Sequence, residues 1–304
     1  MSKKITVVGS SNTDMIIKMD RIPRPGETLL GGDFSMADGG KGANQAVAAA
    51  RAGGDVTFVA RTGKDMFGEN AVKGFLKDKI NCEFITSDES APSGVALIFV
   101  GEDGENSIAV AGGANNNLSP ADVEKAKAVI TASDVLVMQL ETPMETIEAA
   151  SKMVAGTDCK VILNPAPAAA LSDEILKNVT ILTPNETEAE VLSGVKVENE
   201  ADAEKAAKVL MGKGVKTVIV TMGKKGALIA DGDSVEVVPA FEVKAVDTTA
   251  AGDTFNGALA VALAEGKNLK DAVTFANGAG ALSVTKLGAQ PSAPTREDID
   301  SFLA

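Results

Sequence analysis

The run Ala250-Ala251-Gly252-Asp253 contains the residue types that anion binding and proton transfer require. The alanine-rich stretch from Phe255 to Ala264 follows and predicts a helix that begins near Asp253. The first N–H groups of a helix have no partner within it, and small residues leave them open to an anion. A carboxylate on Asp253 could accept a proton beside that anion. The pattern is also typical of an ordinary capped helix, because Asp and Thr are common caps.

A glycine-rich segment near residue 40 could approach a polar ligand. Gly39-Gly40-Lys41-Gly42-Ala43-Asn44 precedes a predicted helix that reaches about Ala52. It is not a Walker A phosphate loop, because Gly42 follows Lys41 where that motif needs Ser or Thr. We interpret it as a loop that brings backbone and the Asn44 amide close to a ligand. A flexible linker before a helix fits the pattern equally well.

Two further segments could contact a nucleotide and its metal. Asn185 and Glu188 lie three residues apart at a predicted helix start, so their oxygens share a face that suits Mg²⁺. Gly223 and Gly226 follow a strand and allow the backbone close to a nucleotide. A capped surface helix and a plain hairpin explain the same patterns. Glu141, after another strand, is either a hydroxyl acceptor or a solvated acid.

These segments follow short apolar runs that predict buried strands. The runs are Lys4–Gly9, 135–138, 161–163, 180–182 and 217–220, most of them separated by predicted helices. Alternating strands and helices predict an α/β fold with a parallel sheet, and such sheets bind ligands at the carboxyl ends of their strands. The polar segments are therefore expected to meet at one edge.

Residues 14–36 and part of 93–112 break this alternation. They predict strands at Met15–Met19, a strand pair within Glu27–Met36, and strands at 93–100 and 106–110 joined by a hairpin turn at 101–104. Strands with no helix between them indicate a small β insertion.

Composition excludes several classes of function. The chain has 29 basic and 42 acidic residues, a net charge of −13, which opposes nucleic acid or an anionic membrane as partner. It contains no His, so His-based triads and His-ligated metals are excluded. Cys82 and Cys159 are isolated, which fits a reducing cytosol. The N-terminal apolar run is too short for a signal peptide, and no run approaches bilayer length. We therefore expect a cytoplasmic protein.

The motifs together resemble the PfkB family of carbohydrate kinases, also called the ribokinase family. They are Asn12-Thr13-Asp14, residues 39–46, Asn164-Pro165-Ala166-Pro167, residues 185–188, Asp247 through Asp253, and residues 288–292. The resemblance runs from about residue 4 to the C-terminus. It implies one domain over 1–304, a three-layer α/β/α fold with a mainly parallel sheet and a small β-sheet lid.

The resemblance also implies an activity, the ATP-dependent phosphorylation of the 5-hydroxyl of D-ribose. Asp253 resembles the general base, and Ala250, Ala251 and Gly252 resemble the anion hole for the transferred group. The positions that match sugar-binding residues are Asn12, Thr13, Asp14, Gly40, Lys41, Gly42, Ala43, Asn44, Glu141 and Asp253.

Matching positions further imply ATP, Mg²⁺ and K⁺. Those for ATP are Asn185, Thr221, Met222, Gly223, Lys224, Lys225, Gly226, Gly252, Asp253 and Asn277. Asn185 and Glu188 would act on Mg²⁺ through water. Those for K⁺ are Asp247, Thr249, Ser283, Lys286, Gly288 and Ser292, with Lys286 serving through its carbonyl because an ammonium group repels a cation. The lid is expected to cover the sugar and to pair with a second lid in a homodimer.

Other functions remain open from the sequence. The nearest alternatives are a fructokinase, a deoxyribose kinase or a nucleoside kinase on the same scaffold. The nucleobase of a nucleoside would usually need aromatic stacking, which a chain without Tyr or Trp could supply only through its Phe residues. An inactive sugar-binding regulatory protein is a different class, against which the Gly252-Asp253 pair speaks. A nicotinamide dehydrogenase is disfavoured because no Gly-x-Gly-x-x-Gly follows the first strand.

Overall fold

The computed structural model describes residues 3–103 and 105–304. Its strands are β1 Lys4–Val8, β2 Asn12–Met19, β3 Asp33–Gly39, β4 Asp55–Gly63, β5 Ile85–Asp88, β6 Gly94–Gly101, β7 Asn106–Ala111, β8 Val135–Met138, β9 Lys160–Leu163, β10 Ile181–Leu182, β11 Thr217–Thr221, β12 Ala227–Asp231 and β13 Ser234–Val238. Its α-helices are α1 Lys41–Arg51, α2 Met66–Lys77, α3 Pro120–Lys125, α4 Lys127–Thr131, α5 Met144–Met153, α6 Asp173–Leu176, α7 Glu186–Ser193, α8 Glu200–Gly212, α9 Ala251–Ala264, α10 Leu269–Ser283 and α11 Arg296–Leu303.

The larger sheet contains nine strands within the described residues, in the order β13-β12-β11-β10-β9-β8-β1-β4-β5. All neighbours from β11 to β5 pair in parallel, while β11 with β12 and β12 with β13 pair antiparallel. The expected mainly parallel sheet is therefore confirmed.

Side chains alternate between two cores on opposite faces of this sheet. In β8, Val135 and Val137 pack with α1, α9 and α10, whereas Leu136 and Met138 pack with the helices α3 to α8. Successive residues of a strand point to opposite faces, so a strand buried on both sides is apolar throughout. This produces the three layers, helices on each side of the sheet.

The order of the strands places the polar segments along one edge. The carboxyl ends of β11, β10, β9, β8 and β1 are neighbours in that order, and parallel strands end on the same side. Thr221, Asn185, Asn164, Glu141 and Asn12 lie at or just after those ends. The helices α1 and α9 begin at the same edge.

A separate sheet is formed by four strands within the described residues, in the order β3-β2-β6-β7. We call this sheet the lid sheet. Its strand β2 runs directly from the ligand edge, beginning at Asn12, and β3 returns to it at Gly39, beside α1. The loop after β1 and the start of α1 are thus both joined to the lid sheet.

Some local predictions are wrong. No strand forms over 27–32, because the Glu27 carboxylate binds the Arg21 guanidinium and the Arg24 N–H and folds this segment onto itself. The predicted helix 269–286 ends at Ser283, because the Val284 carbonyl accepts the N–H groups of residues 246 and 247. Gly104 of the predicted hairpin turn lies outside the described residues.

No helix in the described part of the chain has the length and apolarity needed to cross a bilayer.

Candidate active site

Asp253 is buried, with 6% of its surface exposed, in the first turn of α9. Its Oδ2 accepts the side-chain amide of Asn44 at 2.9 Å, and its Oδ1 accepts that of Gln45 at 2.9 Å. Both donors belong to the first turn of α1. Two amide donors therefore hold both carboxylate oxygens and fix the plane of the group.

Close packing of α1 against α9 makes these contacts possible. A Cβ on Gly257, one turn after Asp253, would lie 2.7 Å from the Ala48 Cβ, the Ala49 N and the Gln45 carbonyl oxygen. Only glycine lets the two backbones approach this closely. The position of Gly257 therefore sets the distance between Asp253 and its amide partners.

The turn before α9 exposes backbone N–H groups. Ala250, the N-cap, has a φ of 58°, in the left-handed region that non-glycine residues rarely occupy. The N–H groups of Gly252 and Asp253 belong to the first four, which a helix leaves without intrahelical partners. A Cβ added to Gly252 would meet no atom within 4 Å, so the space in front of this turn is open. Open N–H groups at a helix start bind anions.

Asn12 and Asn44 present amide groups beside the start of α1. The Asn12 Oδ1 accepts the Asn115 side-chain amide at 2.7 Å, which leaves the Asn12 NH₂ to donate to a ligand. The Asn44 Oδ1 is buried without a hydrogen-bond donor among the described residues. A ligand hydroxyl would satisfy it.

Glu141 lies between the loop after β1 and the start of α1. Its Oε2 accepts the Ser10 hydroxyl at 2.5 Å and the Lys41 N–H at 3.0 Å. A cavity of about 390 Å³ adjoins it, lined by Asn12, Glu141, Asn115 and the lid residue Val110 among others. Carboxylate and amide groups beside such a cavity suit a ligand with many hydroxyls.

Burial and neighbouring charges raise the pKa of two carboxyl groups of the site, Asp14 and Asp253. Burial raises the pKa of Asp14 to about 6, with further contributions from Glu141, Asp253 and Asp38. Burial also raises the pKa of Asp253, while Lys41 and the Asn44 and Gln45 amides oppose that rise.

Lys41 supplies the compensating charge. Burial acts to lower its pKa, but the charges of Asp253, Glu141, Glu188 and Asp14 outweigh burial and raise it. Lys41 therefore stays cationic within a cluster of carboxylates. Perturbed groups clustered in a cleft are typical of active sites.

The other end of the edge is built from β10, β11 and α7. Asn185 caps α7: its Oδ1 accepts the Glu188 N–H at 2.8 Å, and the Glu188 Oε2 accepts the Asn185 N–H at 2.8 Å. A bridge joins Asn185 to Thr221. Burial raises the pKa of Glu188, and the charges of Lys41 and Asp253 also act on it.

Gly226 and Asn277 meet around residues 238–239, and Thr221 lies on the neighbouring strand β11. A Cβ on Gly226 would lie 2.1 Å from the Val238 carbonyl oxygen, and the Asn277 Nδ2 donates to the Val238 and Pro239 carbonyls at 3.2 and 3.1 Å. Thr221 pairs with Ala227. Lys224 and Lys225 are exposed beside them, and Met222 packs its side chain in the core.

The segments 246–249 and 284–288 are joined through Asp247. Its carboxylate accepts the Thr249 N–H at 2.9 Å and the Gly288 N–H at 2.8 Å. Lys286 acts electrostatically on Asp298 of α11. The Ser283 and Ser292 hydroxyls donate to carbonyls of their own turns, at Gly280 and Ala289.

The sequence-predicted residues do not all lie where their side chains could touch a ligand. The Ala43 side chain packs in the core, and its N–H donates to the Ser10 carbonyl at 2.8 Å. Thr13 is buried in the lid sheet at β2. For Ala43 and Met222, any contact with a ligand would use the backbone.

Sequence reasoning also missed polar residues that hold the site. Asn115 binds the Ser11 backbone N–H and the Asn12 side chain, and its only signal was the run Asn115-Asn116-Asn117 after two glycines. Gln139, Thr183 and Asn256 are buried behind Asp253. Gln139 and Thr183 follow strand ends, which was a signal; Asn256 lies inside an apolar helix run and gave none.

The chain is similar to carbohydrate kinases in both sequence and fold. Residues 2–296 match the model of the pfkB family carbohydrate kinases. The ribokinase of Haemophilus influenzae is 46% identical over 303 residues, covering 100% of this chain and 99% of that protein. The deoxyribokinase of Salmonella typhi is 39% identical, covering 99% and 98%. The structure of Arabidopsis thaliana ribokinase complexed with ribose and ATP is similar with a TM-score of 0.92 and 32% identity, covering 100% and 99%.

Proposed function

The chain belongs to the pfkB family of carbohydrate kinases, and from this premise we propose that it is an ATP-dependent kinase of D-ribose. It transfers the γ-phosphoryl group of ATP to the 5-hydroxyl and forms D-ribose 5-phosphate and ADP. Curated ribokinases match it at 46%, 41% and 40% identity over nearly their whole length, which supports this substrate.

One observation carries the proposal at the level of chemistry. Asp253, a buried carboxylate with both oxygens held by amides, lies in the same helix turn as the open N–H groups of Gly252 and of its own backbone. A base next to an anion-binding turn matches the two requirements of phosphoryl transfer to an alcohol, deprotonation and charge stabilisation.

Asp253 takes the proton from the 5-hydroxyl as the oxygen attacks the γ-phosphorus. The new O–P bond forms while the bond to the bridging oxygen of ADP breaks. The open N–H groups of Gly252 and Asp253 donate to the oxygens of the transferred group, where negative charge accumulates. Asn12, Asp14, Asn44 and Glu141 orient the sugar so that the 5-hydroxyl lies at Asp253.

Thr221, Asn185 and Asn277 hold the nucleotide at the other end of the edge. The Asn277 NH₂ is used by two backbone carbonyls, which leaves its oxygen for the ligand. Glu188 uses one carboxylate oxygen on the Asn185 N–H and keeps the other. No cluster of three or more acidic, Cys or His side chains suited to a metal is found in the described ranges. This fits Mg²⁺ held lightly through water and the phosphates of ATP, whose charge it offsets.

The segments around Asp247 and Gly288 fit a monovalent cation. The Asp247 carboxylate holds the Thr249 and Gly288 N–H groups and so joins the two segments a few residues before the anion-binding turn, and a carboxylate is a hard oxygen ligand with one negative charge. K⁺ held there by residues 247, 249, 283, 286, 288 and 292 would order the loop 247–253.

The cation proposal is tested by exchanging K⁺ for Na⁺ at constant ionic strength. We expect turnover to fall, because the smaller ion fits the loop poorly and leaves the Gly252 N–H groups less ordered. Tetramethylammonium, too large for the loop, is the control for ionic strength. Equal rates in all three salts would reject the site.

The lid sheet is proposed to close over the sugar and to pair with a second copy. Closure would exclude water, which otherwise accepts the phosphoryl group. Residues paired across the strands share a face, so Met36, Met15 and Leu97 form one row and Ala37, Asp14 and Ala96 the next, on the opposite face. Asp14 faces the sugar site, and Met36 and Leu97 are 55% and 48% exposed on the outer face. An exposed apolar face of this kind suits a partner sheet.

The substrate is tested with purified protein, ATP and a panel of D-ribose, 2-deoxy-D-ribose, D-fructose and adenosine. We expect kcat/KM to be highest for ribose, with the phosphate on the C5 oxygen by ³¹P and ¹³C NMR. A preference for another compound would establish one of the alternative kinases. Absence of phosphorylation with tight sugar binding would indicate a regulatory protein.

A further inference from the structure

A connected set of four buried amide side chains and one threonine lies behind Asp253. Its members are all buried and share hydrogen bonds with one another; they are Gln45, Gln139, Asn164, Thr183 and Asn256. They come from α1, from the carboxyl ends of β8, β9 and β10, and from α9. We call this set the amide chain.

Gln45 is the member that touches Asp253. Its Nε2 donates to the Asp253 Oδ1 at 2.9 Å and to the Asn164 Oδ1 at 3.1 Å. Its Oε1 accepts the Gln139 Nε2 at 2.7 Å. Both hydrogens of the Gln45 amide are thus directed to oxygens, one of them on the proposed base.

One backbone carbonyl fixes the orientation of three successive amides, those of Asn164, Gln45 and Gln139. The Asn164 Nδ2 donates to the Thr183 carbonyl at 3.0 Å, and a carbonyl can only accept. The Asn164 oxygen must therefore face Gln45, so Gln45 must present its NH₂, and the Gln45 oxygen must face a donor on Gln139. Reversing any one amide would place two oxygens or two NH₂ groups together.

This orientation leaves one oxygen unpaired, at the Gln139 end of the amide chain. The Gln139 Oε1 is buried and has no donor among the described residues. Turning the Gln139 amide over would bring that oxygen against the Gln45 oxygen. A buried acceptor without a partner is unfavourable, and it lies at the end away from Asp253.

A second branch reaches the anion-binding turn. The Thr183 hydroxyl donates to the Asn256 Oδ1 at 2.7 Å, and the Asn256 Nδ2 donates to the Gly252 carbonyl at 2.8 Å. Thr183 therefore links the amides that hold the base to the contact that holds the turn. The proposed base and the anion-binding turn are therefore both connected to Thr183, at the end of β10.

We propose that Gln45, Gln139 and Asn164 are positioning residues that keep an N–H donor on the Asp253 Oδ1, so that the carboxylate stays ionised and aimed at the sugar hydroxyl. This inference rests on the proposed kinase function. None of the three needs to touch the substrates for this role, because each acts through its neighbour.

The charged groups that face Asp253 come from four other positions. They are Lys41 on α1, Glu141 after β8, Asp14 on β2 and Glu188 on α7. All four stay in place in the variants below. The pH profile of kcat reports the substrate-bound enzyme. Because those four charges are unchanged, a shift of its acid limb in a variant reports a change in the amide chain.

Two substitutions at Gln139 test this orientation. One is expected to draw the Gln45 NH₂ away from Asp253, and the other to leave it in place. In Gln139→Glu an ionised carboxylate faces Gln45 and can only accept, so it competes with Asn164 and Asp253 for the Gln45 NH₂ and weakens the donor on Asp253. We expect kcat to fall by about 100-fold with the acid limb at higher pH. Gln139→Met removes the unpartnered oxygen and leaves Asn164 to direct Gln45, so kcat should stay within about threefold of wild type.

Gln45→Met provides the same readout without a buried charge. It removes the donor to Asp253 at similar length, and we expect kcat about tenfold lower, the acid limb at higher pH and the sugar KM within about threefold. Thr6→Val is the matched control, because it breaks a buried hydrogen bond to Ser133 elsewhere in the same sheet. It should leave the limb unmoved.

The outcomes separate the inference from the function. If Gln139→Glu does not fold, Gln45→Met decides alone. A wild-type acid limb in folded Gln45→Met, or equal effects of the two Gln139 variants, overturns the positioning role while the kinase function stands. A wild-type protein that does not phosphorylate ribose removes both.

Discussion

Asp14 and Asp253 are neighbouring carboxylates with different surroundings. Asp253 is held by two amides at the start of α9, whereas Asp14 lies in the lid sheet, where burial and then neighbouring like charges raise its pKa to about 6. In the proposed mechanism Asp253 accepts a proton, and Asp14 accepts sugar hydroxyls while it is ionised. Their roles follow from position, since both are the same residue type.

The pKa of Asp14 predicts a pH dependence of sugar capture. Above about 6 the group is ionised and accepts hydroxyls; as the pH falls through about 6 it takes up a proton and loses an acceptor. We expect kcat/KM for ribose, which reports the free enzyme, to decrease below that pH. The measurement is initial rates at low ribose between about pH 5 and 8.

Asp14→Asn separates this inflection from that of Asp253. The variant should have lower kcat/KM at every pH and a shallower acid limb, because only one carboxylate then titrates. An unchanged limb in the variant would show that Asp14 does not capture sugar in its ionised form.

At the scale of elements, α9 contains two glycines with opposite surroundings. A Cβ on Gly252 would meet nothing within 4 Å, while one on Gly257 would lie 2.7 Å from backbone atoms of α1. The first glycine leaves room for a ligand, and the second lets two helices approach. Replacing each by alanine tests the two functions of this helix separately.

We expect Gly252→Ala to fold with equal or greater stability, since alanine favours a helix by up to about 1 kcal/mol over glycine. Its kcat should fall by about 100-fold, because the methyl group enters the space of the transferred phosphoryl group. Gly257→Ala should lose about 1–3 kcal/mol of unfolding free energy from overpacking. Urea unfolding and kcat measure the two effects.

The two variants serve as controls for each other. Full activity in Gly252→Ala would mean that the phosphoryl group does not bind at this turn. Unchanged stability in Gly257→Ala would mean that α1 and α9 are not held by backbone contact. Their close approach would then not explain how Asp253 meets Asn44 and Gln45.

Most elements could be predicted from the sequence because their cause is local. Apolar runs gave β8 and β9, and the Ala-Gly-Asp start gave α9 within two residues. The strand predicted over 27–32 is absent because a strand exists only where a partner strand pairs with it, and Glu27 instead binds Arg21 of the preceding bend. The early end of α10 likewise depends on a loop some forty residues away.

The candidate site was predictable in part for the same reason. Asp253, Asn44 and Glu141 lie next to glycines or strand ends, where the sequence shows an edge. Asn256 became visible only through contacts made in three dimensions, such as its hydrogen bond to the Gly252 carbonyl. A buried polar residue in an apolar run has no local signature of its partner.

At the scale of the whole molecule, the outer face of the lid sheet predicts a dimer. Met36 and Leu97 flank Met15 in one row of that face and are both half exposed. We expect wild-type protein to be dimeric in light scattering. Met36→Lys with Leu97→Lys should give monomers with weaker sugar binding, because charges cannot be buried between two lids.

A second pair of exposed apolar residues provides the control for that experiment. Leu76→Lys with Val209→Lys adds the same charge on α2 and α8 and should leave the dimer intact. A monomeric wild type, or a lid variant that still dimerises, would contradict pairing through the lid.

The central claim is that Asp253 deprotonates the alcohol beside an anion-binding turn. The most direct measurement is the rate of ribose 5-phosphate formation by Asp253→Asn, together with its affinity for ATP by calorimetry. The account predicts a loss in kcat of about 1,000-fold or more with ATP affinity within about threefold of wild type. Turnover near the wild-type rate in a variant that binds ATP normally would contradict it.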